Sequence, residues 1–132
     1  MIRPEGMIVH ESPYPPAVAI ERFRKSITSM GMTVFALIDF AADAKKSGLT
    51  LEESLLLIFG NPKVGTRLLQ EAPNTGIDLP LKAFGWTSNG KHWLSYNDPA
   101  YIAQRHGITD DDPIMKMSEA LRQASVFALQ EH

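Results

Sequence analysis

Leu55-Leu56-Leu57-Ile58-Phe59-Gly60-Asn61-Pro62-Lys63 runs an unbroken apolar stretch straight into a helix start. Consecutive large apolar residues closed by glycine read as a strand covered on both faces, which places it centrally in a sheet. Asn61 then fits an N-cap and Pro62 the first helical position, predicting a helix through Leu68, Leu69 and Ala72 that Pro73 helps to end. The corner therefore lies at a sheet rim. A helix start offers unpaired N–H groups and a partial positive charge, and Lys63 adds a cation, so the corner is a candidate anion seat. It is not a phosphate-binding P-loop: Gly60 and Gly65 have that spacing, but Thr66 stands where the lysine belongs.

Upstream, Met32 to Phe40 is too apolar for clean alternation and reads as another strand covered on both faces, with Asp39 its odd member. Ala41 to Ser47 follows as a short helix stopped by Gly48. Further back, Met7 to Glu11 reads as a strand, Ser12 to Pro16 as a proline-rich lead-in, and Ala17 to Met30 as an amphipathic helix burying Ile20, Phe23, Ile27 and Met30. Downstream, the strand-like runs Leu81 to Trp86 and Lys91 to Tyr96 flank Asn89-Gly90, a strong hairpin signal because both residues tolerate positive φ. Asp98-Pro99 opens a short helix to His106, stopped by Gly107. Asp112-Pro113 opens a last helix with Ile114, Met117, Leu121, Ala124 and Ala128 near one stripe.

The order predicts an α+β fold: a two-layer α/β sandwich with a mixed sheet of about five strands and helices mainly on one face. At 132 residues and 44% hydrophobic content, residues 1–132 read as a single domain. The second face of the sheet needs cover from the C-terminal helix or from a second subunit, and a homodimer is the expectation.

Composition narrows the function classes. The net charge of −2 gives no overall positive field, so nucleic acid is not an expected partner. There is no cysteine, hence no disulfide, thiolate ligand or cysteine nucleophile, which suits a reducing cytosol. The start Met1-Ile2-Arg3-Pro4-Glu5-Gly6 lacks signal-peptide character and no run approaches a membrane span, so the expected location is cytoplasmic, away from the membrane. His10, His92, His106 and His132 show no metal-ligand spacing, and Asp110-Asp111-Asp112 reads as a cap and solvated turn; no metal and no cofactor is expected. No Gly-x-Ser-x-Gly elbow marks a hydrolase.

The candidate ligand-binding residues are Asn61, Lys63, Asp78, Lys82 and Asp39, which strand ends meeting at one rim would bring together. Three readings follow: a dimeric domain binding a small, anionic ligand; an enzyme with Asp39 or Asp78 as base and Lys63 or Lys82 as electrostatic stabiliser; and an interaction module using Trp86, Trp93 or the terminal helix. Against the first two stands the plainer reading that Asp39 caps the following helix while Asp78 and Lys82 make turn and surface contacts.

Leu57-Ile58-Phe59-Gly60-Asn61-Pro62-Lys63, Gly76-Ile77-Asp78-Leu79-Pro80-Leu81-Lys82, Trp93-Leu94-Ser95-Tyr96-Asn97-Asp98-Pro99 and Gly31-Met32-Thr33-Val34-Phe35 occur in an order that resembles the bacterial and archaeal family of domains of unknown function numbered 302. The resemblance covers roughly residues 5–108 and implies a small, dimeric α/β domain with no established reaction, substrate or cofactor. The family pattern has His after Ile-Asp, where this chain has Phe40, so no role needing an imidazole beside Asp39 is implied. It also implies that the helix in residues 113–132 is an addition to the shared core.

Overall fold

The structure is a computed structural model that describes residues 3–131; Met1 and Ile2 of the N-terminal segment, and His132, lie outside the described residues. Strands β1 (Met7–Ser12), β2 (Thr33–Asp39) and β3 (Ser54–Gly60) alternate with helices α1 (Pro16–Ser29), α2 (Phe40–Lys46) and α3 (Pro62–Glu71); the hairpin strands β4 (Leu81–Ser88) and β5 (Lys91–Asn97) and then helices α4 (Pro99–His106) and α5 (Asp111–Leu129) follow. A 3₁₀ turn, Pro73–Ile77, follows α3. The strands form one sheet in the order β1-β5-β4-β3-β2.

The α+β class and the five strands agree with the sequence reading, but the sheet is antiparallel throughout rather than mixed. Helix length explains this. A parallel return must span a strand, about 23 Å for seven residues at ~3.3 Å each, whereas α2 with 7 residues and α3 with 10 extend only about 10 and 15 Å. Both therefore fold back at the sheet end where they began. The 14 residues of α1, about 21 Å, match the six residues of β1, about 20 Å at ~3.3 Å each, and α1 carries the chain across the sheet from edge strand β1 to edge strand β2.

On its way α1 passes over β4 at Gly85. A methyl group there would lie 3.0 Å from Cγ1 of Ile20 and 3.3 Å from Cβ of Pro16, so the bare glycine sets how close the helix sits. Phe23 of α1 meets Phe59 of β3 edge-on at 5.5 Å between ring centres. Helix α5 lies beside α1 on the same face and adds Ile114, Met117, Leu121, Ala124 and Ala128 to the one buried cluster. The terminal helix is thus part of the core and does not cover the other face of the sheet. Its N-cap is Asp110, which accepts from the N–H of Asp112; Asp112 pairs with Arg67 and Lys116.

β2 departs from expectation too. It is an edge strand, with Phe35 52% and Leu37 54% exposed, rather than a strand covered on both faces. An apolar run cannot distinguish a strand buried within its own chain from an edge whose cover lies outside it. β3 is interior, flanked by β4 and β2. The hairpin forms as read, with Asn89 at φ 52° and Gly90 at φ 77°.

Because the methyl of Gly85→Ala has only Pro16 and Ile20 to displace, this variant is expected to lose about 1–3 kcal/mol of stability through overpacking, measured by urea unfolding. A stability equal to the parent would show that α1 is not seated on β4 this closely.

Candidate functional site

Phe59 and Gly60 end β3 at the rim of the sheet, and Asn61, in an extended conformation, turns the chain into α3. Asn61 Oδ1 accepts from the N–H groups of Lys63 at 3.0 Å and Val64 at 3.4 Å, and Pro62 has no N–H to offer. The donors that would hold an anion at this helix start are therefore already engaged by the side chain of Asn61.

Beside the corner is an open cleft of about 250 Å³. Its walls are Gly60, Asn61, Gly65, Thr66 and Leu69 from the end of β3 and α3, Gly76, Leu79, Pro80 and Leu81 from the segment that follows, and Phe35 of β2. The Leu79–Pro80 peptide is cis. At roughly 30 Å³ per water, the volume matches about eight waters, a small molecule rather than a drug-sized one. The lining is mainly apolar, with polar groups from Asn61 and Thr66.

Gly65 stands out in this wall. It occupies the interior of α3, where glycine costs about 1 kcal/mol relative to alanine, yet an added Cβ would meet nothing within 4 Å. No close neighbour requires its lack of a side chain. What the glycine leaves free is cleft volume.

Of the five residues singled out from the sequence, only Asn61 lines this cleft. Lys63 is exposed and turned to no wall of it. Asp78 is held in another contact: Nη1 of Arg105 donates to both its oxygens at 3.0 Å, and Nε2 of His106 lies 2.5 Å from Oδ2, with His106 only 10% exposed. This cluster ties the 3₁₀ turn to the last turn of α4. Lys82 donates to the carbonyl of Pro80 at 3.3 Å, touching the cleft wall from behind, and lies on the face of the sheet that no helix covers.

Asp39 cannot join the others. It pairs with Leu55, whereas Thr33 pairs with Gly60, so Asp39 sits five residues of β3 away from the corner, about 17 Å at ~3.4 Å per residue. Its Oδ1 accepts from the N–H of Ala42 at 2.9 Å and caps α2. Strand direction defeats the expected convergence: in an antiparallel sheet, successive strand ends alternate between rims. Among the residues not singled out, Gly65 carried a signal, an unneeded glycine within an amphipathic helix, whereas Phe35 carried none because its place depends on the bulge between Val34 and Ala36. Among the described residues no group of three or more His, Asp or Glu side chains is placed to hold a metal ion, and no helix is long and apolar enough to cross a membrane.

Comparison with known proteins adds two kinds of relative. The crystal structure of an uncharacterised conserved DUF302 protein from Bacillus stearothermophilus superposes with a TM-score of 0.81, covering 96% of this chain and 100% of that one at 18% identity, which shows a shared fold. Proteins named fluoride-specific ion channel FluC 1 from Brucella suis and Brucella abortus are 45% identical over 115 residues, 85% of this chain. The chain spans only 45% and 43% of their respective lengths. The sequence profile of the domain of unknown function DUF302 matches residues 8–124, reaching well into α5. With most of its length matched by that profile, the chain belongs to the DUF302 family.

Proposed function

We propose that this chain is an accessory binding domain, working in the reducing cytosol, whose site is the cleft between the start of α3 and the Leu79–Pro80 turn. The observation that carries this reading is Gly65, a helix-interior glycine that no neighbour needs and that keeps the cleft open. The ligand it fits is a small molecule with an apolar body against Phe35, Leu69 and Leu81 and one polar group at Asn61 and Thr66. An anion held by Lys63, Asp78 and Lys82 together receives no support from their positions.

The accessory role rests on the Brucella relatives. They are named as ion channels, while the segment they share with this chain contains no helix, among the described residues, able to cross a membrane. In this reading the permeation path of those proteins is built by their remaining length, and the shared segment is an attached domain. The acid–base enzyme reading is the weaker one, since Asp39 is used as a helix cap and Asp78 as a tie to Arg105 and His106.

A homodimer is the finer part of the proposal. Phe35 and Leu37 on edge strand β2, with Leu49 and Leu51 beside its end, are all exposed and form the apolar surface best placed for a second copy. No lysine, arginine or proline interrupts Thr33–Asp39 to protect that edge.

Four outcomes test these statements. Gly65→Ala is expected to raise stability by about 0.5–1 kcal/mol in urea unfolding. Isobutyramide, carrying an apolar branch and an amide, is expected to shift the backbone amide signals of Gly60, Gly65 and Gly76 saturably, and Gly65→Leu to abolish those shifts; unmoved signals at high concentration would sink the cleft as a site. In sedimentation equilibrium the chain is expected to self-associate and Leu37→Lys to weaken this by at least about tenfold while leaving the circular dichroism intact. A parent chain that stays monomeric when concentrated removes the dimer. For the accessory role, the Brucella suis protein is expected to conduct fluoride in liposomes after deletion of its shared segment; abolished conduction by a folded, inserted protein would count against it.

A further inference from the structure

The face of the sheet opposite α1 and α5 has an organisation of its own. Alternation along the strands turns Leu56, Lys82, Phe84, Trp86, Trp93 and Ser95 to this side. Phe84 stacks on Trp86 with ring centres 5.4 Å apart and planes at 18°, Trp86 stacks on Trp93 at 6.3 Å and 25°, and Phe40 of α2 abuts Phe84 edge-on. The result is a continuous aromatic platform of stacked rings.

The platform has one polar end. Phe84 pairs with Ser95, so two residues further along both strands Lys82 and Asn97 stand side by side on the same face. These groups, with Leu56 and Trp86, line a groove of about 440 Å³. Lys82 has no carboxylate partner among the described residues; its ammonium makes one contact, with the carbonyl of Pro80. Ser95 is only 2% exposed as a residue, yet its hydroxyl makes no hydrogen bond among the described residues and opens to solvent in the groove wall. That free hydroxyl is a donor available to an occupant of the groove in place of water.

We propose that this groove is a second binding site, for a planar aromatic carboxylate. The ring lies against Phe84 and Trp86, where a flat π-system is favoured. The carboxylate reaches the Lys82 ammonium and the Asn97 amide, and accepts a hydrogen bond from Ser95. A single lysine suits one carboxylate and not a phosphate chain, which needs a cradle of backbone N–H groups or several cations. The site is separate from the α3 cleft and does not depend on it.

Trp86 and Trp93 are the only tryptophans and both lie on this face, so their indole N–H signals in ¹H–¹⁵N spectra report on it directly. On titration with 2-naphthoate both signals are expected to shift saturably, and the uncharged 2-naphthamide to bind about tenfold more weakly. Lys82→Met is expected to weaken naphthoate binding about tenfold and Ser95→Ala several-fold, each with an unchanged fold by circular dichroism. Indole signals that stay still overturn the proposal. So does equal binding of naphthamide, or naphthoate binding by both variants at the parent affinity, since either leaves an apolar face without a carboxylate seat. Indole signals that move with protein concentration alone identify a second copy as the occupant and overturn it equally.

Discussion

The seat of α1 on the middle of the sheet at Gly85 is the contact on which the remaining architecture depends. The helix must carry the chain from one edge of a five-stranded sheet to the other, and it does so pressed against β4 with Pro16 and Ile20 where a side chain would otherwise stand. Burial of Phe23, Ile27, Leu57 and Phe59 follows from that approach, and α5 packs alongside to complete the layer. At about 25 cal/mol per Å² of apolar surface, such burial is what drives a cysteine-free chain to fold. Both long helices are consumed on one face. The other face and the β2 edge are consequently left for contacts outside this chain.

Legibility in the sequence followed the range of the physics involved. Local signals were read correctly: Asn89-Gly90 at the hairpin, Asn61-Pro62 and Asp98-Pro99 at helix starts, Gly107 in the left-handed conformation after α4. Each depends on a few neighbouring dihedrals and bonds. Strand direction and strand order were not legible, because the same strand–helix–strand pattern serves a parallel crossover or an antiparallel return, and only helix length against strand length separates them. From that one error came the expectation that Asp39 would meet Lys63, since strand ends were assigned to the wrong rim. A cleft does open beside Gly60 and Asn61 at that corner. Its chemistry was misjudged, because a capping side chain occupies the same donors that an anion would use.

Charged groups illustrate the same economy across the surface. Arg67 joins Asp110 and Asp112, Glu71 accepts from the N–H groups of Thr109 and Asp110, and Asp78 joins Arg105 and His106. Together they fasten α3, the 3₁₀ turn, α4 and the start of α5 around the rim that holds the cleft. Arg22 acts at the far end of the layer, donating to the carbonyls of Ala128 and Phe127 while lying over the rings of Tyr14 and Phe127. This cation meets the exposed carbonyl end of α5, where the helix dipole is negative. Several formal charges that look functional are thus fasteners, whereas Lys82, like most of the lysines, has no acid partner among the described residues.

Departures from best stability separate a site from an accident of packing only when they open onto accessible space. Among the described residues Thr75 Oγ1 is the one buried side-chain polar atom without a hydrogen-bond partner, whereas the unpartnered hydroxyl of Ser95 opens to solvent in a groove. Thr75 is sealed at 0% exposure within the 3₁₀ turn and faces no groove, so its unpaired oxygen is a local cost with no visible use. Ser95 lines a groove beside a lysine and an aromatic stack, where its free hydroxyl can donate to an occupant. Gly85 and Gly65 form a parallel pair. The first gives up a side chain to admit α1, the second with nothing to admit except whatever enters the cleft. In each pair it is the adjoining empty volume that separates a residue spent on packing from one that a ligand can use.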